Sequence, residues 1–356
     1  MKEKGKIKSI TLKNFTCFDK IHLDFSSGIN VFIGENGTGK THVLKMMYAI
    51  NSVAADLKFS SNGSSNGNGH VAVKPHALVS TPLEVFSIKI EELPELIRFE
   101  KNEANFSLEF SENLFFGYKM NAQSMTPNFT VSDQHILEPI FIPTHDMLAT
   151  YRGFIPYYLQ YENDYDKTHF DLAVNLQKPN LKVQPTELLQ AIQNKTGIDV
   201  QLNSDGLFYI TDGKVPFKAK LSAEGIRKIA QIVQLIKNGT IKKNSILYWD
   251  EPEVNLNPKY IRLVADFLMV LAKNGVQIFI ATHDYLLAHY LSTKAEYQET
   301  THAPDMTFFA FNKTANGTEV ESATTLAGIE NNVLLDEYAA LYDLESELFR
   351  KSVPHD

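Results

Sequence analysis

Eight residues, Gly34-Glu-Asn-Gly-Thr-Gly39-Lys40-Thr41, restrict this chain more than any other stretch because of what flanks them. Ile29, Val31 and Ile33 precede them in a strand-like apolar run, and Val43, Leu44, Met46, Met47 and Ile50 follow at helical spacing. A glycine-rich turn between a buried strand and a helix leaves the first helical N–H groups without carbonyl partners. Together with the helix dipole, those groups favour an anion. The pattern GxxxxGK[ST] supplies the rest of a phosphate site: backbone N–H groups wrap the phosphates, Lys40 reaches the outer ones, and the Thr41 hydroxyl can ligate Mg²⁺. Asn36, Gly37, Thr38, Gly39, Lys40, Thr41 and His42 are therefore the expected nucleotide-binding residues.

A partner for this loop lies far along the chain. Ile246-Leu-Tyr-Trp249 reads as a buried strand ending in Asp250-Glu251. An acidic pair at the C-terminal end of such a strand puts Asp250 within reach of the metal shell, and Glu251 where it could polarise an attacking water. The next apolar strand, Val276 to Ala281, runs into Thr282-His283-Asp284. Parallel neighbours present their C-terminal ends on one edge, which brings His283 near Glu251 and the terminal phosphate. None of the other histidines has metal-ligand spacing.

Two strands, around Ile7 to Leu12 and Ile21 to Phe25, lead into the loop. Ser60 to His70 is low in complexity and reads as a solvated loop. Residues 83–143 read as β-rich, with alternation in Phe86-Ser-Ile-Lys-Ile90 and Phe106-Ser-Leu-Glu-Phe110, and close on the apolar run Ile136 to Ile142. Residues 147–194 turn aromatic and helical, and 197–219 return to short strands around Asp212-Gly213. One helix is expected from about Ala223 to Lys237, and a second from Asn257-Pro258, a cap and first-turn pair, to Asn274-Gly275. Strand, helix, strand at this spacing implies a crossover in a parallel sheet. The expected organisation is one head made of residues 1–145 and 197–356, with a helical lobe, 146–196, inserted between its halves.

Lys and Arg number 34 against 42 Asp and Glu, a net charge of −8, which argues against coating nucleic acid by bulk charge. Lys2, Lys4, Lys6 and Lys8 and the pair Lys242-Lys243 could touch a phosphate backbone or simply solvate an edge. Cys17 is the sole cysteine, so internal disulfides and multi-thiolate zinc sites are excluded and a reducing compartment fits. No apolar run approaches the roughly 20 residues of a membrane span, and the basic N-terminus lacks an apolar signal core. A cytoplasmic protein is expected.

The stretch LKNFTCFDKIHLDFSSGINVFIGENGTGKT, the run Asp250-Glu251-Pro252-Glu253 and the run Ala281-Thr282-His283-Asp284 resemble the ABC-type ATPase heads of the RecF, SMC and OLD families. With its ending LLDEYAALYDLESELF, the chain is also similar to stand-alone AAA-family ATPases of prokaryotic phage-defence operons, such as the Septu and retron-associated ATPases. The likeness is strong at both ends and weak over 50–215. It implies an α/β P-loop fold of the ABC-ATPase head type: a mixed sheet, an N-terminal β-rich part and a small inserted helical lobe. It also implies ATP and Mg²⁺ as cofactors, hydrolysis to ADP and phosphate, and a homodimer or higher oligomer in which each ATP lies between two heads.

In such heads one subunit gives the P-loop and the other a signature at a helix N-terminus. Leu221-Ser222-Ala-Glu-Gly225-Ile-Arg227-Lys228 resembles that signature, so Ser222, Gly225 and Arg227 are the residues expected to act in trans. It departs from the pattern at Ala223, where relatives carry serine, and Ser222 as an ordinary helix cap is the other reading. Glu253-Val-Asn255-Leu256-Asn257 resembles the D-loop; Asn257 either faces its twin across the dimer or caps a helix. Asp146 is the candidate for the family's glutamine-loop position. The function implied is an ATP-hydrolysing switch that controls a separately encoded effector, such as a nuclease, in phage defence or DNA metabolism. No HExxH motif supplies a nuclease within the sequence. The alternatives are an ATP-sensing scaffold with little hydrolysis and an ATPase acting directly on DNA in repair; nucleic acid stays open as a partner, and a membrane is not expected.

Overall fold

The chain opens with an antiparallel pair, β1 (Ile7–Phe15) and β2 (Phe18–Asp24), then enters β3 (Ile29–Gly34) and α1 (Lys40–Asp56). Strands β4 (Lys58–Ser60) and β5 (His70–Ala72) are followed by α2 (Ala77–Phe86), a 3-10 turn over Ile90–Leu96, and β6 (Glu103–Phe110), β7 (Phe115–Asn121) and β8 (Met125–Phe129). Next come β9 (Ile140–Ile142), the helices α3 (Tyr151–Gln160), α4 (Lys167–Leu176) and α5 (Thr186–Thr196), and a small sheet of β10 (Asp199–Leu202), β11 (Phe208–Thr211) and β12 (Phe217–Lys218). The last third holds α6 (Glu224–Lys237), β13 (Ile246–Asp250), α7 (Pro258–Lys273), β14 (Gln277–Thr282), α8 (Tyr285–Glu296), α9 (Gln298–Thr301), β15 (Met306–Thr314), β16 (Gly317–Ala323) and α10 (Val333–Ser352). This computed structural model describes residues 5–352 except 57, 61–69, 73–76, 112–113, 131–135, 162–163, 184, 212 and 214. The expected loop over Ser60 to His70, Lys2 and Lys4, and the Asp212 half of the Asp212-Gly213 turn fall wholly or mainly outside the described residues.

The central sheet has the order β16-β15-β3-β14-β13-β9 and is parallel except for the hairpin of β15 with β16. Every residue of β3, β13 and β14 is buried, as parallel strands covered on both faces must be. Strand alternation divides their side chains between two cores. Val31, Ile33, Leu247, Trp249, Ile278 and Ile280 join residues from α3 to α8; Phe32, Ile246, Tyr248, Phe279 and Ala281 join α1 and a second, antiparallel sheet, β2-β1-β6-β7-β8. Helix α1 touches β3, β13 and β14 on one side and β6 and β7 on the other, so the helix behind the glycine loop is clamped between two sheets. Among the described residues no helix is long and apolar enough to cross a membrane.

Residues 146–196 turn helical, but Tyr151, Phe154, Leu172, Leu176 and Ile192 pack into the same core as Val31 and Trp249. Two strand expectations fail. Phe86 ends α2, because Thr81, Pro82 and Val85 bury one helical face, and Ser87 at φ +53° turns the chain towards the 3-10 segment. The run Ile136 to Ile142 yields only three strand residues, since Pro139 and Pro143 bracket them and neither can donate to a ladder.

Phe32 lies among Phe25, Phe279, Phe309 and Phe311, with ring centroids 5.3 to 6.5 Å away. Phe32→Ala should cost about 3–5 kcal/mol in urea denaturation. A loss below about 1 kcal/mol would mean that this aromatic layer does not hold the sheet to α1.

Candidate functional site

The register of the parallel strands assembles the site. Asp250 pairs with Ala281, Ala281 with Phe32, and Thr282 with Ile33, so Gly34, Glu251 and His283 leave the sheet on one edge. Gly34, Gly37 and Gly39 have φ of +140°, +77° and +91°, a region that side chains disfavour. Space also demands glycine at 39, where a Cβ would lie 2.6 Å from both Cys17 Sγ and Phe18 Cζ. Thr38 is buried and its hydroxyl donates to Glu35 O at 2.8 Å, closing the loop, while Asn36 and Gly37 are exposed. Lys40 Nζ donates to the carbonyls of Gly34 and Glu35, both at 2.7 Å. Burial pulls its pKa down against the opposing pull of Glu251, Asp250 and Glu253. His42 presents its ring edge to Phe15 and Phe86, with centroids 6.5 and 5.8 Å away. Asn36 to His42 line a cavity of about 900 Å³ with Thr16, Cys17, Pro94, Glu95, Ile97 to Lys101, Asp250 and Glu251, a volume in the range of small-molecule sites.

Thr41 Oγ1 donates to both oxygens of Asp250, at 3.0 and 3.1 Å. Burial raises the Asp250 carboxyl to about 6, against the Thr41 hydrogen bond and the Lys45 and Lys40 charges. Mg²⁺ takes few protein ligands and keeps waters and phosphate oxygens, so an adjoining hydroxyl and carboxylate suit it. No group of three or more His, Cys, Asp and Glu forms a metal cage among the described residues. Glu251 stands at φ +47°, with its N–H bonded to Ala281 O at 2.9 Å and its Oε1 3.1 Å from His283 Nδ1. The expected nearness of His283 to Glu251 is thus a direct contact.

Glu253 was not foreseen as part of this network, although it stands in the Asp250-to-Glu253 run. Only 5% exposed, it accepts from Thr282 Oγ1 at 2.6 Å and from the His283 N–H at 3.3 Å, tying β14 to the turn after β13. Burial raises its pKa. Lys228 was also missed; the available signal was a cation on the buried side of α6, level with Ile232 and Leu235. Its ammonium donates to Val254 O at 2.8 Å.

None of the signature residues lines that cavity, although Lys228 reaches the Glu251 carbonyl at its edge, at 3.5 Å. The cap of α6 is Ala223, without a side-chain bond; Ser222 donates to Ala223 O at 3.3 Å, so the reading of Ser222 as the helix cap fails. Gly225 abuts the turn that resembles a D-loop, where a Cβ would run into Leu256 Cδ2, and Glu224 accepts from Asn255 Nδ2 at 2.8 Å. Arg227 donates through Nε to both oxygens of Asp146, at 3.1 and 3.0 Å, and through Nη1 to Ser222 O at 2.6 Å. Burial raises the Asp146 pKa while Arg227 opposes it. Asp146 is thereby committed to an ion pair inside its own chain. Asn257 caps α7, accepting from the N–H groups of Lys259 and Tyr260 at 3.0 and 3.2 Å. Arg227→Ala would leave the Asp146 carboxylate buried without its partner. It should cost about 3 kcal/mol or more in denaturant unfolding, and Arg227→Met with Asp146→Leu should recover much of the loss. Equal losses in the single and double variants would contradict the pairing.

Two family models match the chain: "AAA domain, putative AbiEii toxin, Type IV TA system" over residues 80–288, more than half of it, and "AAA ATPase domain" over residues 6–119. The chain is 40% identical over 45 residues to the DNA replication and repair protein RecF of Clostridioides difficile, covering 13% of this chain and 12% of that protein. It is 45% identical over 62 residues to structural maintenance of chromosomes protein 6 of Dictyostelium discoideum, covering 17% of this chain and 5% of that one. The matched stretches thus span at most 12% of these two relatives' lengths. Among solved structures, it resembles the Smc head domain of Pyrococcus furiosus bound to the C-terminal domain of ScpA, with TM-score 0.54 and 11% identity over 96% of this chain and 99% of that one. An Smc head bound to the C-winged helix domain of ScpA gives TM-score 0.50 and 12% identity, over 90% and 98%. With the P-loop architecture described above, these matches show that the chain belongs to the AAA-domain family and has the ABC-type ATPase head of the RecF and SMC kind.

Proposed function

We propose that the chain binds ATP and Mg²⁺ at the Gly34–Thr41 loop, hydrolyses the nucleotide, and uses the change to close and open paired heads that control a separate effector. The observation that carries this reading is the meeting at one sheet edge of Thr41 with Asp250 and of Glu251 with His283. Asn36 to His42 hold the phosphates, Lys40 as a point charge and the loop through its N–H groups. Thr41 and Asp250 would hold Mg²⁺, whose charge would offset that of the phosphates. Glu251 acts as the base that orients water, and His283 fixes its carboxylate.

In the paired state, Ser222, Gly225 and Arg227 at the head of α6 face the second head, while Asn257 stays engaged as the cap of α7. ScpA bound to Smc heads supports control of a protein partner, RecF's name supports DNA metabolism, and the family's toxin–antitoxin description supports defence. A cytoplasmic location, a nuclease as effector, and a head of residues 1–145 and 197–356 with 146–196 as an inserted lobe belong to the same proposal.

Lys40→Ala should abolish binding of a fluorescent ATP analogue. Glu251→Gln should keep binding while turnover falls by a factor on the order of a hundred or more, and sedimentation with ATP and Mg²⁺ should reveal an accumulated dimer. Wild-type turnover in Glu251→Gln would remove the base from this mechanism; a dimer with no turnover in the wild type would favour the ATP-sensing scaffold.

A further inference from the structure

The cavity extends past the glycine loop to a turn that the phosphate chemistry does not use. That turn is fastened to β1: the Thr16 N–H donates to Leu96 O and the Arg98 N–H to Asn14 O, both at 2.9 Å, and Ile97 bridges Phe15. The Arg98 guanidinium donates to Cys17 O at 2.8 Å and also to Asn316 O, which ties the turn to the hairpin of β15 and β16. The Lys101 N–H closes the turn on Arg98 O at 3.0 Å, with Glu100 at φ +63°. On this fixed support Phe99 is 86% exposed while lining the cavity that holds Lys40 and Thr41. A ring on a braced turn at the mouth of the cavity adds nothing to the core and leaves its face free to stack on a flat apolar group.

Resting on the P-loop reading, we propose that Phe99 is the base platform of the site, stacking the nucleobase of the bound nucleotide. Contacts lead outwards from the loop to it: Cys17 Sγ donates to Thr38 O at 3.4 Å, Arg98 binds Cys17 O, and Phe99 follows Arg98. Every base has a π-face, so the platform selects a nucleotide over a bare phosphate chain with little discrimination between adenine and guanine.

The test compares binding of ATP and of inorganic tripolyphosphate, each with Mg²⁺, to the wild type, Phe99→Ala, Phe99→Trp and Lys40→Ala. Phe99→Ala should bind ATP roughly tenfold more weakly with tripolyphosphate unchanged, and Phe99→Trp should restore ATP. Unchanged ATP affinity in Phe99→Ala, or equal weakening of both ligands, overturns the platform. If Lys40→Ala loses tripolyphosphate while Phe99→Ala keeps ATP, only the platform is refuted. If Lys40→Ala loses neither ligand, the loop reading falls and the platform with it.

Discussion

The hydrogen-bond register of β3, β14 and β13 is the constraint from which the site follows. Because Asp250 is level with Ala281 and Ala281 with Phe32, three loops leave the sheet at one height. A slip of one residue would turn Phe32, Tyr248 and Phe279 into the wrong core, so burial on both faces enforces the alignment. The Thr41 bond to Asp250 and the Glu251 contact with His283 are consequences of that packing. Even the strained φ of Glu251 is held by a backbone bond to Ala281, the residue that sets the register.

A second consequence concerns the first turns of α6. Glu224 to Asn255, Gly225 against Leu256 and Lys228 to Val254 attach this helix end to the turn that follows Glu251. The segments 221–228 and 253–257 are therefore packed as one unit within the chain. Glu253 extends the unit to Thr282 and the His283 N–H. Packed side chains and hydrogen bonds thus join the phosphate edge to the head of α6 without a break. The same packing makes Gly225 a poor position to probe trans contacts, because any side chain there first meets Leu256 of its own chain.

The fold and the phosphate loop were legible in the sequence because they depend on local pattern: apolar runs too continuous for an exposed strand, glycines at fixed offsets, and Asn257-Pro258 at a helix start. What could not be read was set by contacts between distant segments. In sequence Arg227 reads as a residue acting in trans and Asp146 as the glutamine-loop candidate; that the two pair with each other emerges only when α6 packs beside the chain after β9. Ser222 resembles a cap in sequence, yet the backbone at Ala223 takes that position. Phe99 carried no signal at all, since its place in the cavity depends on the pairing of Ile97 with Phe15. Five residues of alternation from Phe86 to Ile90 misled because the helical burial of Thr81 and Val85 outweighed them.

The most direct test of the central claim, a Mg²⁺-dependent ATPase site completed by a second head, is phosphate release by the purified wild-type chain as a function of its own concentration. Release should need Mg²⁺, and activity per chain should rise until dimers saturate. Release that ignores Mg²⁺, or activity per chain that is constant down to the lowest concentrations of a demonstrably monomeric protein, would contradict it.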